Sequence, residues 1–266
     1  MDEPEVGGRL GRYRLEGVLG RGAMGTVYRA VPDDGDAVAL KVPSAELAAD
    51  ETYRRRFERE ARIAASLSHP HIVDVVETGE AGGRPFLASR LVQGRTLADR
   101  IAEGPLPDGE VVRTVSELAA ALDVLHEREL VHRDLKPANV ILDAGGRALL
   151  SDFGLARGAG DTVLTQPGRV SGTVDYLAPE LIRGAPASPA SDVYGLGCLA
   201  YESLSGRPPF ADRSIPEAIL AHLESQPEPL ASPLSHAVLQ ALEKDPAARP
   251  PTAAAYALML RVSLPR

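Results

Sequence analysis

The sequence predicts an α+β fold in two lobes, a small β-rich first lobe and a larger, mostly helical second lobe. Residues 13–92 hold short apolar runs rich in β-branched residues, and glycines or prolines separate these runs. From Thr96 onward the apolar residues recur mostly at helical spacing. Strands in the first part of the sequence and helices in the second are typical of α+β architecture. The sequence contains no internal repeat and no low-complexity linker.

The first lobe is predicted to contain strands and one main helix. Residues 13–31 form two β-like runs joined by glycines, and a third run follows the turn PDDGD. A segment rich in Arg, Glu and Ala then predicts a helix, which the stretch SHPH ends. The predicted ranges are 37–42 for the third strand, 51–67 for the helix, and 72–80 and 84–92 for two further strands.

The second lobe is predicted to be a set of helices with one strand pair, VILDAGGRALL, over residues 140–150. The first helix, over 109–129, has its apolar residues on one face. Further helical patterns cover 191–205, 216–224, 233–243 and 252–262. We expect a flexible N-terminus over residues 1–11 and one domain over 12–263, with the first lobe ending near residue 92.

Composition excludes several classes of protein. A net charge of −8 and a pI near 5.3 argue against nucleic acid as the main partner, because phosphate binding favours a basic surface. One cysteine, Cys198, excludes an internal disulfide and a multi-cysteine metal site. No apolar run reaches the roughly 18 residues of a membrane helix, and the acidic N-terminus is unlike a signal peptide. These features predict a cytoplasmic chain with no membrane segment.

Three glycines, Gly20, Gly22 and Gly25, lie in a predicted turn between two strands. Glycines at such a turn let backbone amides approach phosphate oxygens closely. Taken alone, the pattern fits a glycine-rich hairpin without a ligand better than a phosphate-binding turn. A strand follows the glycines, so the dinucleotide-binding motif, which opens a helix, fits poorly.

The stretch HRDLKPAN, residues 132–139, is typical of either a solvated turn or a site that transfers phosphate. If the strand pair after it folds back, Asp134, Asn139 and Asp152 come together. Asn and Asp oxygens are suitable Mg²⁺ ligands beside nucleotide phosphates, and a further Asp can accept a proton from a hydroxyl. Lys41 lies near the end of an apolar strand, and taken alone it is as well explained as a surface lysine. Glu60 on the following helix could pair with it, but exposed Lys–Glu pairs are common and weak, so this pair alone is poor evidence of a site.

Taken together, these motifs occur in the order and spacing of one family. They are the glycine turn, VALK, Glu60, HRDLKPAN, DFG, GTVDYLAPE, SDVYGLG and Arg249. In this respect the chain resembles the eukaryotic-like (Hanks-type) bacterial serine/threonine protein kinases, most closely the actinobacterial branch, from about Tyr13 to about Val262. The resemblance implies the bilobal protein-kinase fold, with ATP and Mg²⁺, or alternatively Mn²⁺, as cofactors.

The resemblance also implies a role for each motif residue. Asp134 would orient and deprotonate the acceptor hydroxyl, and Lys136 would neutralise the γ-phosphate. Lys41, held by Glu60, would bind the α- and β-phosphates. Two metal ligands are implied, Asn139 and Asp152. Asp192 would brace the catalytic loop, and Glu180 would pair with Arg249.

The implied ATP pocket has three parts. Gly20, Gly22 and Gly25 would cover the phosphates. Apolar side chains on both sides of the adenine and main-chain groups at its edge would hold the base. The adenine contacts are Val27, Ala39 and Ile141 for the faces, Arg90 and Val92 for the main-chain bonds, and Ser89 at the back of the pocket.

Activation by autophosphorylation is a further expectation from the resemblance. Thr162, Thr165 and Ser171 are candidate acceptors in the segment after Asp152, and Thr173 is expected in the substrate pocket. A phosphate on Thr165 would be bound by three arginines, namely Arg133, Arg157 and Arg56. Phosphate adds a dianion with three strong acceptor oxygens, so it would order this segment.

Three functions remain open at this point, namely an active protein kinase, a scaffold of the same fold without turnover, and a small-molecule kinase. The intact Lys41, Asp134, Asn139 and Asp152 favour the first. Expected partners are ATP and protein substrates, together with a second copy bound through the first lobe. The chain is also expected to be either a free cytoplasmic protein or the cytoplasmic domain of a longer, membrane-anchored one.

Overall fold

The computed structural model describes residues 4–22, 24–152 and 174–265. The chain divides into two compact units, Met1–Gln93 and Gly94–Arg266. The first unit is mainly a curled sheet and the second is mainly helical, which confirms the predicted α+β fold in two lobes.

The first unit is built on an antiparallel sheet with strand order β1-β2-β3-β4-β6-β5. Its strands are β1 (Arg9–Leu10), β2 (Tyr13–Gly22), β3 (Gly25–Pro32), β4 (Val38–Pro43), β5 (Val75–Ala81) and β6 (Arg84–Arg90). Burial alternates along β3, as expected for a strand with one face on a core. That core includes Tyr13, Leu15, Tyr28, Leu40 and Phe86.

Two helices, α1 (Ala45–Ala49) and α2 (Glu51–Ala65), follow β4. The carboxylate of Asp50 caps α2 by accepting hydrogen bonds from the backbone N–H groups of Thr52 and Tyr53. Tyr53, Phe57, Ala61 and Ala64 of α2 are buried at helical spacing, and the helix packs on β5 and β6.

The sheet begins earlier than the predicted domain start at residue 12. Arg9 and Leu10, placed by sequence in a flexible N-terminus, pair with Arg14 and Tyr13 of β2. Leu10 is buried in the core, and this burial gives the short strand its anchor. The hydroxyl of Tyr28 also donates to the carbonyl oxygen of Pro4.

The second unit contains two long central helices, α4 (Asp108–His126) and α6 (Pro189–Ser205), which pack on each other. Around them lie α3 (Leu97–Ala102), α5 (Pro179–Ile182), α7 (Ile215–Glu224), α8 (Ser235–Ala241) and α9 (Ala253–Ser263). Gly197 lets α6 approach α8 closely, since a Cβ atom there would lie 2.9 Å from the Cβ of Ala241. Cys198 of α6 is buried, and burial raises the pKa of its thiol.

A small antiparallel sheet, β7 (Gly94–Thr96), β8 (Val140–Asp143) and β9 (Ala148–Leu150), completes the second unit. Within the described ranges, three 3₁₀ turns lie between the helices and strands, namely Pro137–Asn139, Val174–Tyr176 and Pro246–Ala248. Each helix in the described parts of the chain is too short or too polar to cross a membrane.

Candidate active site

The catalytic loop, residues 132–139, runs from the region after α4 into β8. Within it, the ammonium group of Lys136 donates to Oδ2 of Asp134 at 2.9 Å. The side-chain amide of Asn139 donates to the same oxygen at 3.0 Å and to the backbone carbonyl of Asp134 at 2.7 Å. Two donors on one oxygen therefore orient the Asp134 carboxylate, which is half-buried.

The predicted strand pair is observed as β8 and β9, and it joins the catalytic loop to Asp152. Val140 pairs with Leu150, and the carbonyl of Asn139 accepts bonds from the N–H and the hydroxyl of Ser151 at 2.9 and 3.0 Å. Asp152 follows directly, with φ of 52°. A non-glycine residue in this left-handed region is strained, so the surrounding structure determines its direction.

His132 lies beneath this arrangement and is fully buried. Its Nδ1 accepts a hydrogen bond from the backbone N–H of Asp134 at 3.3 Å, so Nε2 carries the proton and donates to the Ser151 carbonyl at 3.1 Å. Burial lowers the pKa of His132, against the opposing effect of nearby carboxylates. The neutral ring thus links the segment containing Asp134 to the segment containing Asp152.

Asp192, in the first turn of α6, holds the catalytic loop by its backbone. Its Oδ2 accepts from the His132 N–H at 2.8 Å and lies 2.8 Å from Nε2 of His126, while Oδ1 accepts from the Arg133 N–H at 3.0 Å. The carboxylate is 2% exposed. Arg133 has φ of 65°, so these bonds keep the loop in a conformation that an arginine seldom adopts.

A buried ion pair ties α5 to the segment between α8 and α9. The guanidinium of Arg249 donates to both carboxylate oxygens of Glu180, at 2.8 and 2.7 Å. It also donates to the backbone carbonyls of Glu243, Ala190 and Lys244. A cation with this many acceptors is well compensated for the loss of water.

A cleft opens beside Asp134 in the second unit. Apolar side chains line it together with the groups of the catalytic loop. Its lining residues are Arg133, Asp134, Leu135, Tyr176, Leu177, Leu181, Ser191, Asp192 and Gly195.

The glycine turn lies between β2 and β3 in the first unit. A Cβ atom on Gly25 would lie 2.1 Å from the Val42 carbonyl, and φ at this residue is 138°, so only glycine fits. Gly20 and Gly22 have nothing within 4 Å of an added Cβ. Gly25 is therefore required by the sheet, whereas a side chain at Gly20 or Gly22 would meet no described atom. Ala23 lies outside the described residues.

The other predicted residues of the first unit lie on neighbouring strands and on α2. Lys41 of β4 is paired with Val27 of β3, and Ala39 is paired with Ser89 of β6. Lys41 is half-buried on its strand, and Glu60 is half-buried on α2.

Ser89 and Arg90, the last two residues of β6, form hydrogen bonds within the first unit. The hydroxyl of Ser89 donates to the Ala39 carbonyl at 3.3 Å. The N–H of Arg90 donates to the Asp74 carbonyl at 2.9 Å. Val92 follows β6 and is half-buried.

Comparison with known proteins agrees with this geometry. Residues 13–258 match the protein kinase domain family. The chain belongs to this family. Serine/threonine-protein kinase PknJ of Mycobacterium tuberculosis is 40% identical over 269 residues, covering 96% of this chain and 46% of that protein. Serine/threonine-protein kinase PknB of Mycobacterium leprae is 40% identical over 258 residues, covering 91% and 41%.

A solved kinase structure is also similar over nearly the whole chain. The PknI kinase domain of Mycobacterium tuberculosis has a TM-score of 0.78 and 34% identity, and the match covers 97% of this chain and 98% of that one. The chain spans less than half the length of PknJ and PknB. The predicted kinase fold and the predicted similarity to the actinobacterial branch are therefore confirmed.

The donor set of this chain suits magnesium. The NH₂ of Asn139 is bound to Asp134, so the opposite end of the amide, its carbonyl oxygen, is the atom for a cation. Mg²⁺ typically binds one or two carboxylates and keeps waters and substrate phosphates as its other ligands. The carboxylate of Asp152 and the amide oxygen of Asn139 fit this ligand preference. Across the described ranges, no three His, Cys, Asp or Glu side chains gather to hold a metal by themselves.

Several predicted regulatory residues lie outside the described part of the kinase. They are Arg157, Thr162, Thr165, Ser171 and Thr173. Of the two remaining arginines, Arg133 lies in the catalytic loop and Arg56 is half-buried on α2. Ile141, expected against the adenine, is half-buried in β8.

Sequence reasoning assigned no separate role to His126 and His132, although both contact the groups that hold the loop. His132 is the first residue of the stretch HRDLKPAN, so its position in a motif could have identified it from the sequence.

Proposed function

We propose that this kinase transfers the γ-phosphate of ATP to serine and threonine hydroxyls of proteins, including its own. The observation that carries the proposal is the hydrogen-bonded group of Asp134, Lys136 and Asn139, which the β8–β9 hairpin joins to Asp152. Catalysis of phosphoryl transfer is mostly positioning and charge stabilisation, and this group supplies both.

The proposed reaction begins when a Ser or Thr hydroxyl enters the cleft beside Asp134. Asp134 accepts the hydroxyl proton as the oxygen forms its bond to the γ-phosphorus, and the bond from that phosphorus to the ADP oxygen breaks. Lys136, whose ammonium lies 2.9 Å from Asp134, neutralises negative charge on the transferred group. Mg²⁺ held by Asn139 and Asp152 would neutralise charge on the phosphates.

Most of the residues proposed to bind ATP lie on the sheet or on α2 of the first unit, and one, Ile141, lies on β8. Gly20, Gly22 and Gly25 would bring backbone amides to the phosphates, and Lys41, held by Glu60, would bind the α- and β-phosphates. The remaining contacts are to the adenine. They are Val27, Ala39, Ile141, Ser89 and the main chain of Arg90 and Val92.

Regulation is proposed to act through the segment after Asp152. Autophosphorylation at Thr165, with Thr162 and Ser171 as further acceptors, would recruit Arg133, Arg157 and Arg56 and raise activity. We also propose a kinase domain over residues 12–263, a cytoplasmic location and a homodimer through the first lobe. Support for these proposals is the sequence resemblance alone.

A transfer assay tests the proposed function. The purified chain is incubated with Mg²⁺, ATP labelled in the γ-phosphate and casein as a generic acceptor, and the labelled amino acids are identified. Label on Ser and Thr is expected. In Asp134→Asn the rate should fall by about three orders of magnitude with the fold preserved, because the proton acceptor is lost.

Asp212→Asn is the matched control, since that carboxylate is 86% exposed and lies in the same unit. Its rate should equal that of the wild type. A wild-type chain that binds ATP without transferring label would instead be a scaffold of the kinase fold. Label on Tyr, or full activity in Asp134→Asn, would contradict the proposal.

A further inference from the structure

A carboxylate on α4 binds the backbone of β9. Oε2 of Glu117, in the middle of α4, accepts a hydrogen bond from the N–H of Ala148, the first residue of β9, at 2.7 Å. Ala148 is 0% exposed, and Glu117 is half-buried. The two residues are 31 positions apart, and the proposed catalytic mechanism uses neither of them. A buried N–H that donates to a carboxylate forms one of the stronger hydrogen bonds in proteins.

The direction of this bond follows from the strand register. Within the described ranges, β9 is the outer strand of the small sheet and has β8 as its neighbour. The carbonyl of Arg147 accepts from the N–H of Asp143 on β8. The N–H of Ser151 donates to the carbonyl of Asn139, just before β8. Backbone groups of successive residues in a strand point to opposite sides, so the N–H of Ala148 points away from β8 and towards α4.

β9 leads directly to Asp152, one of the two proposed metal ligands. Ser151 is the only residue between them, and both its N–H and its hydroxyl donate to the carbonyl of Asn139, the other proposed ligand. The place of β9 therefore sets the place of Asp152 relative to Asn139. β9 itself is held by β8 on one side and by Glu117 of α4 on the other.

We propose that Glu117 is a positioning residue for the metal site, because it fixes β9 and hence Asp152. Like the proposed kinase function, on which it rests, this role assumes that Asn139 and Asp152 hold Mg²⁺. Mg²⁺ demands a near-ideal octahedral arrangement of ligands, so a small displacement of one ligand weakens its binding. Glu117 sets the affinity for nucleotide with Mg²⁺, and it leaves the affinities for nucleotide alone and for the protein acceptor unchanged.

Two substitutions of Glu117 separate the hydrogen bond from packing. Gln has the same length and shape, and its amide oxygen can accept from the N–H of Ala148, whereas Met fills a similar volume without a comparable acceptor. Binding of ADP is measured by calorimetry with and without Mg²⁺. In Glu117→Met the affinity with Mg²⁺ should fall at least about tenfold, about 1.4 kcal/mol, while the affinity without Mg²⁺ stays within about threefold of wild type. Glu117→Gln should match the wild type in both conditions.

Transfer kinetics and hydrogen exchange give two further readouts. The Mg²⁺ concentration for half-maximal transfer should rise at least about tenfold in Glu117→Met, with the KM for a peptide acceptor unchanged. Amide exchange over residues 147–152 should be faster in Glu117→Met than in Glu117→Gln. Glu127→Met is the matched control, since Glu127 is exposed at the end of the same helix and should behave as wild type in each measurement.

Equal affinities of the two Glu117 variants for ADP with Mg²⁺ would overturn the inference, whether both match the wild type or both fall below it. A parallel loss of affinity with and without Mg²⁺ would also overturn it and leave Glu117 a packing residue. If Glu117→Met does not fold, Glu117→Ala replaces it, because Ala removes the acceptor and favours the helix. A wild-type chain that binds ADP and Mg²⁺ without transferring phosphate would refute the proposed function, and the binding comparison would still decide the role of Glu117.

Discussion

Replacement of Asp192 by Asn tests how the catalytic loop is held. Asn has nearly the same shape, so its oxygen can take the place of Oδ2 and accept from His126 and from the His132 N–H. Its NH₂ group then faces the N–H of Arg133, and two donors meet where a bond of 3.0 Å existed. One hydrogen bond to a charged acceptor is lost, and the loss costs about 1.5–3 kcal/mol.

Backbone strain turns the loss of this bond into a movement of the loop. Arg133 is held at φ of 65°, a conformation that costs about 1–3 kcal/mol and that the bonds of Asp192 maintain. Without the bond to Arg133 the loop is free to relax, and Asp134, the next residue, moves with it. A misplacement of about 1 Å typically costs about 100-fold in rate.

We therefore expect kcat to fall about 100-fold in Asp192→Asn and the unfolding midpoint to fall by about 4–12 °C, from about 2–3 kcal/mol at about 2–4 °C per kcal/mol. The measurements are labelled-phosphate transfer at saturating ATP and acceptor, and thermal unfolding. Asp123→Asn is the matched control, because the Asp123 carboxylate caps α9 by accepting from the Ala254 N–H away from the loop. A folded Asp192→Asn variant with kcat within about threefold of wild type would refute the reasoning.

Three further predictions concern other parts of the chain. Ser89→Met should weaken bulky adenine-site inhibitors about tenfold with little change in the KM for ATP, because ATP does not use the space beside a small side chain; equal inhibitor affinities would contradict this. Thr165→Ala should lower activity towards added substrate at least about tenfold, and fully active wild-type enzyme with Thr165 unmodified by mass spectrometry would exclude that mechanism. Glu180→Gln leaves the buried Arg249 without its carboxylate, so stability should fall by about 3–5 kcal/mol, and an unchanged unfolding midpoint would argue against it.

Long elements were predicted well because their periodicity is a local property of the chain. The helix predicted over 109–129 is observed as Asp108–His126, and the strand pair predicted over 140–150 is observed as β8 and β9. Short elements such as Ala45–Ala49 and Leu97–Ala102 were missed. A helix of one or two turns carries too few residues for a repeat to stand out from its neighbours.

The residues of the candidate site divide in the same way. Motif spacing grouped Asp134, Asn139 and Asp152, since these residues lie near one another along the chain and one hairpin joins them. The role of Lys136 came from the resemblance. The resemblance also pointed to Asp192 as a brace. Which atoms it binds, at a separation of 60 residues from His132, depends on how α6 packs.

The sequence by itself determined the fold class, the family and the residue types of the site, because the spacing of the motifs and the periodicity of the apolar residues are local properties of the chain. Tertiary structure alone decided the left-handed backbone at Arg133, the tautomer of His132 and the setting of His222. Tyr194 and His222 are 28 residues apart and lie on different helices. No local pattern links two such side chains, and only the packing of the helices brings a hydroxyl within reach of a buried ring nitrogen.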